Sequence, residues 1–286
     1  MFSVAVREGV LENLELRDSE ANSVAKLAPS RGGMLTRLAV RGRHLLFLDE
    51  KSLRDPNANV RGGNPVLFPA PGKLANDTWT RGPHRGSMKQ HGFARSLPWE
   101  VAATSEEGAA SATLLLRSND ATLAAYPWRF EARYTYTLRG RSLTIEQRFE
   151  NSSDEPMPFA AGFHPYFHVP QADKAATRVE TKATRAFDNV AKKDIVLRGI
   201  DLTQKEVDLH LYDHESSMAT LSTPRGSVTL QGSEPFSRWV IWTVAGKDFV
   251  CLEPWTAAGD ALNTGEHLLT LEPGSTMTLS VEIRST

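Results

Sequence analysis

The sequence predicts an all-β protein, a large antiparallel β-sandwich with few short helices. Residues 133 to 151, "RYTYTLRGRSLTIEQRFEN", place Tyr134, Tyr136 and Leu138 in alternation, break at "RGR", and resume at Leu143 and Ile145. That is the period-2 pattern of a half-buried hairpin with Gly140 at its turn. Residues 275 to 283, "STMTLSVEI", repeat the alternation at Met277, Leu279, Val281 and Ile283. No stretch of roughly 12 or more residues keeps an apolar face at i, i+3, i+4, i+7 spacing, so helices are expected to be short.

The remaining β-rich runs, in chain order, are "ATLLLRS" (112 to 118), "GSVTLQG" (226 to 232), "SRWVIWTV" (237 to 244) and "DFVCLE" (248 to 253). Many strands at short spacing, punctuated by Gly, Pro, Asn and Asp, argue for a large antiparallel sandwich. Two segments break the rhythm: 61 to 100, rich in Gly, Pro and basic residues, and 252 to 266, "LEPWTAAGDALNTGE". Connections of that length are functional or disordered, and their aromatics and prolines argue against disorder. No linker, repeat or low-complexity tract divides the chain, so residues 1–286 are expected to form a single domain.

Composition removes several function classes. Thirty-three basic and 34 acidic residues leave a net charge of −1, which offers no electrostatic pull toward nucleic acid or anionic membrane. With 40% hydrophobic residues the chain can bury a sizeable core. No apolar run reaches the ~18 residues of a membrane span. "MFSVAVREGVLENLELRD" lacks the basic and apolar regions of a signal peptide, so a cytoplasmic location is expected. Cys251 is the single cysteine. It excludes an internal disulfide framework, and within "DFVCLEPW" it reads as a buried thiol rather than a nucleophile.

The chemistry-bearing residues concentrate in a few places. "GFHPYFHVP" (162 to 170) holds His164 and His168 among aromatics and prolines. His91 lies in "KQHGFAR", and Glu253 follows an apolar run and precedes Pro254. Each has an ordinary reading: a solvated or backbone-bonded His91, a satisfied core His164, a solvent-facing strand-end Glu253. Together, a histidine and a carboxylate flanking a small molecule make an acid–base pair that burial can tune. Phe68, Phe93, Tyr166 and Trp255 could supply flat apolar faces for a sugar, and Arg61 and Arg95 forked donors for hydroxyls or a phosphate. A metal is disfavoured. Prolines 165 and 170 prevent a helix, and on an extended segment His164 and His168 stand ~13 Å apart. No Cys cluster, HExxH motif or phosphate-binding Gly loop is present.

"RGGNPVLFP", "KQHGFAR", "YPWRFEARYTYTL", "GFHPYF" and "EPWTAAGDALNTGE", in this order, resemble the aldose 1-epimerase (galactose mutarotase-like) family, over roughly residues 30 to 285. The resemblance implies that family's supersandwich fold and an isomerase that interconverts the α and β anomers of a hexose without metal or organic cofactor. It implies His164 as the acid that protonates the ring oxygen O5, Glu253 as the base on the C1 hydroxyl, and His91 as a second histidine near O5. Arg61 and Arg95 match sugar-binding positions, and Asp208 in "EVDLHLYD" is preferred over Asp213 for a sugar-hydroxyl aspartate. His168 is expected to be supporting structure. "HGFAR" is closer to the branch that contains hexose-6-phosphate epimerases, so the expected partner is a hexose or hexose phosphate. Arg81, Arg85, Lys89 and Arg95 in "RGPHRGSMKQHGFAR" form either a solvated basic loop or a phosphate receptor. "NPVLFPAPGKL", by contrast, stands where phosphate-specific members carry a Trp-rich segment. Two other readings stay open: a sugar-binding protein without turnover, and a glycoside hydrolase, which needs two flanking carboxyls.

Overall fold

A computed structural model describes residues 1–213 and 217–286. The predicted hairpin forms as Phe130–Arg139 and Ser142–Asn151, paired from Phe130↔Asn151 to Arg139↔Ser142 around a turn with Gly140 at φ 60°. Alternation does what the pattern required. Phe130, Ala132, Tyr134, Tyr136 and Leu138 are buried on one strand, and Leu143, Ile145, Gln147, Phe149 and Asn151 on the other. The carboxy-terminal strand Thr276–Ser285 pairs beside Ser142–Asn151 and buries Leu279, Val281 and Ile283 on the same face.

Among the described residues this hairpin sits in an eight-stranded antiparallel sheet, ordered Arg178–Glu180, Met218–Thr223, Gly226–Gly232, Thr276–Ser285, Ser142–Asn151, Phe130–Arg139, Ala110–Arg117, Glu100–Ser105. A second eight-stranded sheet runs Lys193–Val196, Arg185–Asp188, Glu206–Leu211, Arg238–Val244, Phe249–Trp255, Gly162–Phe163, Val66–Leu67 along its main path, with Tyr166–His168 also paired to Phe249–Trp255. A five-stranded meander covers Phe2–Arg7 to Arg43–His44.

Aromatic rings join the two large sheets. Tyr134 lies 5.8 Å from Phe163, and Phe149 stacks 5.2 Å from Phe68. Two buried hydroxyls in this layer find partners, as burial away from water requires. The Gln147 amide donates to the Tyr134 hydroxyl at 2.7 Å, and the Tyr136 hydroxyl donates to the Gly33 carbonyl at 2.9 Å. Helices among the described residues are short, as expected: Glu50–Arg54, Asp120–Ala125 and Ala261–Thr264, besides 3₁₀ segments of three to six residues. No described helix is long and apolar enough to cross a membrane.

The second sheet is covered on both sides, and this positions the site. Every residue of Phe249–Trp255 is buried. Val250 and Leu252 enter the main core; Phe249 and Cys251 pack with Tyr166 on the opposite face. Period 2 carries Glu253 and Trp255 onto that opposite face as well. On the neighbouring strands Trp239, Ile241, Val207, Leu209 and Leu211 go inward, which turns Arg238, Val240, Trp242, Glu206, Asp208 and His210 outward. The result is a polar and aromatic floor on a rigid β platform.

The irregular segment 61 to 100 folds over this floor. Gly62 and Gly63 have φ +127° and +65°, and a Cβ would sit 2.5 Å from Leu48 Cα at the first and 2.5 Å from the Leu35 carbonyl oxygen at the second. Only glycine passes here, and the close approach fixes where Arg61 leaves the backbone. Residues 78 to 87, within the expected loop, form a small hairpin, Thr78–Arg81 with His84–Ser87.

Candidate active site

The floor, the segment 61 to 100 and the stretch after Trp255 enclose a cavity of about 710 Å³. Its lining includes all six residues singled out from the sequence: His91, His164, Glu253, Arg61, Arg95 and Asp208. Glu253 does not follow its strand but lies within it, and the strand continues through Pro254 to Trp255. The ordinary strand-end reading fails, because the residue is 1% exposed.

Register brings the histidine to it. Gly162 pairs with Trp255 and Tyr166 with Cys251, so the same register carried through sets His164 opposite Glu253. Pro165 interrupts the pairing between them. The His164 Nδ1 lies 3.5 Å from Glu253 Oε1, and the ring, 8% exposed, stacks on Tyr166 at 4.7 Å. Burial holds His164 down to about 3, assisted by the positive charge of Arg95. Burial also drives Glu253 well above the usual carboxylate range. The negative charge of Asp208 adds to that rise, while the hydrogen bond from the Trp255 indole and the charge of Arg95 oppose it. Burial therefore disfavours the charged form of both groups.

His91 arrives from the loop side. Its backbone N–H donates to the Gly72 carbonyl at 2.7 Å, while the Gly72 N–H donates to its Nδ1 at 3.0 Å. That second bond assigns the lone pair to Nδ1, so the neutral ring carries its proton on Nε2. Burial, then the neighbouring His164, pushes the His91 pKa well down, which keeps the ring neutral and leaves Nε2–H as a donor. The residue has φ 72°, uncommon for a non-glycine, and the pair of bonds to Gly72 holds it there. Its ring is 5.4 Å from His164 and 5.8 Å from Trp255.

Asp208 occupies the middle of its strand. Asn189 donates to Oδ2 at 2.6 Å, and His210 Nε2 lies 3.2 Å from Oδ1. Burial alone would raise this carboxyl; the two hydrogen bonds outweigh it and hold the pKa below the usual value. Asp213, the competing candidate, is absent from the cavity lining and instead accepts from the Thr184 and Arg185 backbone and the Thr184 hydroxyl. Arg95, in the turn Ala94–Ser96, is half-buried and donates to Asn59 Oδ1 at 3.0 Å. Arg61 sits at the rim, its guanidinium 5.6 Å over the Trp242 ring.

The profile of the family described as Aldose 1-epimerase matches residues 14–284. The chain belongs to that family of carbohydrate epimerases. It is 28% identical over 236 residues to the plasmid-borne protein LacX of Lactococcus lactis subsp. lactis, covering 72% of this chain and 78% of LacX. It is 27% identical over 262 residues to a provisionally named glucose-6-phosphate 1-epimerase of Cenchrus ciliaris, covering 82% and 72%. Among solved structures, the Slr1438 protein of Synechocystis sp. PCC 6803 superposes with a TM-score of 0.94 at 37% identity, covering 100% of this chain and 99% of that one. A galactose mutarotase-like protein of Clostridium acetobutylicum shares the fold at a TM-score of 0.83, with 16% identity and coverages of 100% and 98%.

Within this family fold the four aromatics divide. Tyr166 and Trp255 line the cavity, whereas Phe68 and Phe93 do not. Phe68 is fully buried between the sheets, and Phe93 stacks on Phe130 at 6.0 Å in the same core layer. The reason is the route of the chain: the strand Val66–Leu67 carries Phe68 into the sandwich interior, so its ring contributes packing. The basic loop divides too. Arg95 faces the cavity; Arg81, Arg85 and Lys89 lie outside its lining, two of them on the small hairpin. His168, one strand position beyond Phe167, is exposed and away from the cavity.

The sequence reading missed His210, Trp242, Asn189, Lys73 and Arg238, all on the wall. A signal for one of the five, His210, was present. "EVDLHL" alternates Glu206, Asp208 and His210 with three apolar residues, so one carboxylate chosen on that strand implied its polar companions.

Proposed function

We propose that the chain interconverts the anomers of an aldose, a hexose or hexose phosphate, by opening and reclosing the ring in this cavity. The observation that supports it most directly is the buried facing pair, His164 Nδ1 at 3.5 Å from Glu253 Oε1, against the wall of an enclosure large enough for a sugar ring. Ring opening removes a proton from O1 and delivers one to O5. Glu253 takes the first, His164 gives the second, and the resulting aldehyde rotates about C1–C2 before reclosing on its other face. His91 donates Nε2–H near O5, while Asp208, Arg61 and Arg95 hold the hydroxyls. Neutral His164 with protonated Glu253 is the state left after ring opening, and it is the form that recloses an open chain. A cyclic sugar needs the ion-paired form, and the short separation of the two groups in a low-dielectric site offsets part of its desolvation cost.

Polarimetry on single anomers of glucose, galactose and glucose 6-phosphate tests the reading. Anomerisation faster than the spontaneous rate for at least one of the three is expected; none accelerated would overturn it. Lys73, Arg61, Arg95 and Arg238 on the wall favour a phosphorylated hexose as the second reading. It predicts a higher kcat/KM for glucose 6-phosphate than for glucose, with a ratio that shrinks with salt and with Arg95→Ala. Equal efficiencies, indifferent to both, would leave the free hexose.

Proton transfer between these groups requires no metal. Dialysis against a strong chelator is therefore expected to leave anomerisation undiminished. Activity lost to the chelator and restored by Zn²⁺ or Mg²⁺ would sink the proton-transfer account.

A further inference from the structure

We infer that Cys251, Glu253 and His164 form a binding site for one soft divalent cation of the zinc class, and that its occupancy silences the enzyme. One donor atom from each of the three residues lies within 4.8 Å of the other two, and all three residues are buried. The strand explains the cluster. Cys251 and Glu253 are two apart on Phe249–Trp255 and share a face, while His164 occupies the register position across from Glu253. The second observation is independent of that proximity. His164 Nδ1 is buried and makes no hydrogen bond, and it is aimed at the Glu253 carboxylate 3.5 Å away. A buried ring nitrogen without a partner is costly, and a cation between it and the carboxylate would supply one.

The donor set selects the ligand. Thiolate, imidazole and carboxylate are the groups zinc accepts, and the thiolate disfavours magnesium and calcium. Zinc bonds of ~2.0–2.3 Å place neighbouring ligand atoms roughly 3.3–3.8 Å apart in a tetrahedron, so a shift of about 1 Å closes the cluster. His164 and Glu253 line the cavity, so water from it would complete the fourth position. On binding, the thiol and carboxyl protons leave to solvent. Zn²⁺ with one thiolate and one carboxylate is neutral overall, a form that a buried site near Arg95 and Arg61 tolerates. The pairing of His164 with His168 considered from the sequence is a different set; this one exists only through strand register. Cys251 is outside the cavity lining and takes no part in proton transfer. His164 and Glu253 do, and a metal on their reacting atoms removes both. That inhibitory consequence rests on the proposed acid–base roles; the binding itself does not.

Cobalt titration of the chelator-treated protein, with no sugar present, tests the site. The expected result is one Co²⁺ per chain with a near-ultraviolet thiolate-to-cobalt band, displaced by Zn²⁺. Cys251 is the single cysteine, so the band assigns itself. In parallel, anomerisation should fall with zinc occupancy and return with chelator. Cys251→Ser and Cys251→Ala, checked for native circular dichroism, should keep basal activity, lose the band, and weaken zinc inhibition by roughly tenfold or more. No thiolate band in the wild type, or zinc inhibition unchanged in both variants, would overturn the proposal. Should no sugar be turned over at all, the acid–base reading falls, and the cobalt band still decides the metal site.

Discussion

Glu253→Gln is expected to lower anomer interconversion by roughly 10²–10⁴-fold, the usual contribution of one general base. Glutamine keeps the size and can still accept the Trp255 indole hydrogen bond, which reaches Glu253 Oε2 at 3.2 Å. It cannot take the proton from O1. Sugar affinity, read by calorimetry or by protection against thermal unfolding, should change far less, because the groups proposed to bind the hydroxyls are untouched. A kcat near wild type would remove Glu253 from the mechanism.

The same variant has a second readout of opposite sign. Burial raises the Glu253 pKa well above its ordinary 4.5, so the folded chain holds a proton there that the unfolded chain has released. The folded state is favoured in full below pH 4.5, and that advantage is lost as pH rises toward the folded value. Glutamine mimics the protonated carboxyl and does not titrate. Urea unfolding should therefore show the variant gaining on wild type as pH rises above 4.5, with no gap at lower pH. Greater stability with lost activity is the signature of a group kept in place for chemistry rather than for packing.

How much of this was legible in the sequence depends on the kind of signal. The hairpin within 133 to 151 and the strand within 275 to 283 were read from strict alternation, which survives because one face of that sheet is core. The amino-terminal meander went unread. Its strands Asn13–Asp18 and Ser23–Ala28 are buried at almost every position, so period 2 is blurred and short apolar runs do not declare themselves. The six residues that line the cavity were assigned roles through motif resemblance, and spacing alone would not have assembled them. Register is the missing quantity: it sets His164 opposite Glu253 across 89 residues of chain, and no local pattern carries it. The same lack explains the error on Phe68 and Phe93. Sequence shows that an aromatic is near a functional loop, while the direction of its ring depends on which side of the sheet the chain passes.

The choice between the two histidines of "GFHPYFHVP" is the sharpest test of that register. His164→Asn is expected to cost a factor comparable to the loss at Glu253, roughly 10²–10⁴ in kcat, because the proposed acid for O5 is gone. His168→Asn should leave turnover near wild type. Both lie on the same short segment, so a general disturbance of the segment would harm both alike. They differ in surroundings: His164 is 8% exposed, stacked on Tyr166 and facing Glu253, whereas His168 is exposed and pairs through its backbone with Phe249. Asparagine at 164 loses the 4.7 Å stacking contact with Tyr166, so some stability should go too, and circular dichroism with a melting curve separates that loss from the catalytic one. A second variant removes the ambiguity. His164→Gln keeps more of the volume while still lacking a group that protonates and deprotonates, so it should melt closer to wild type and be no more active than the asparagine variant. If His164→Gln turned over sugar at the wild-type rate, or if His168→Asn proved the more damaging change in a folded protein, the acid would have to be sought elsewhere on the cavity wall, first at His91.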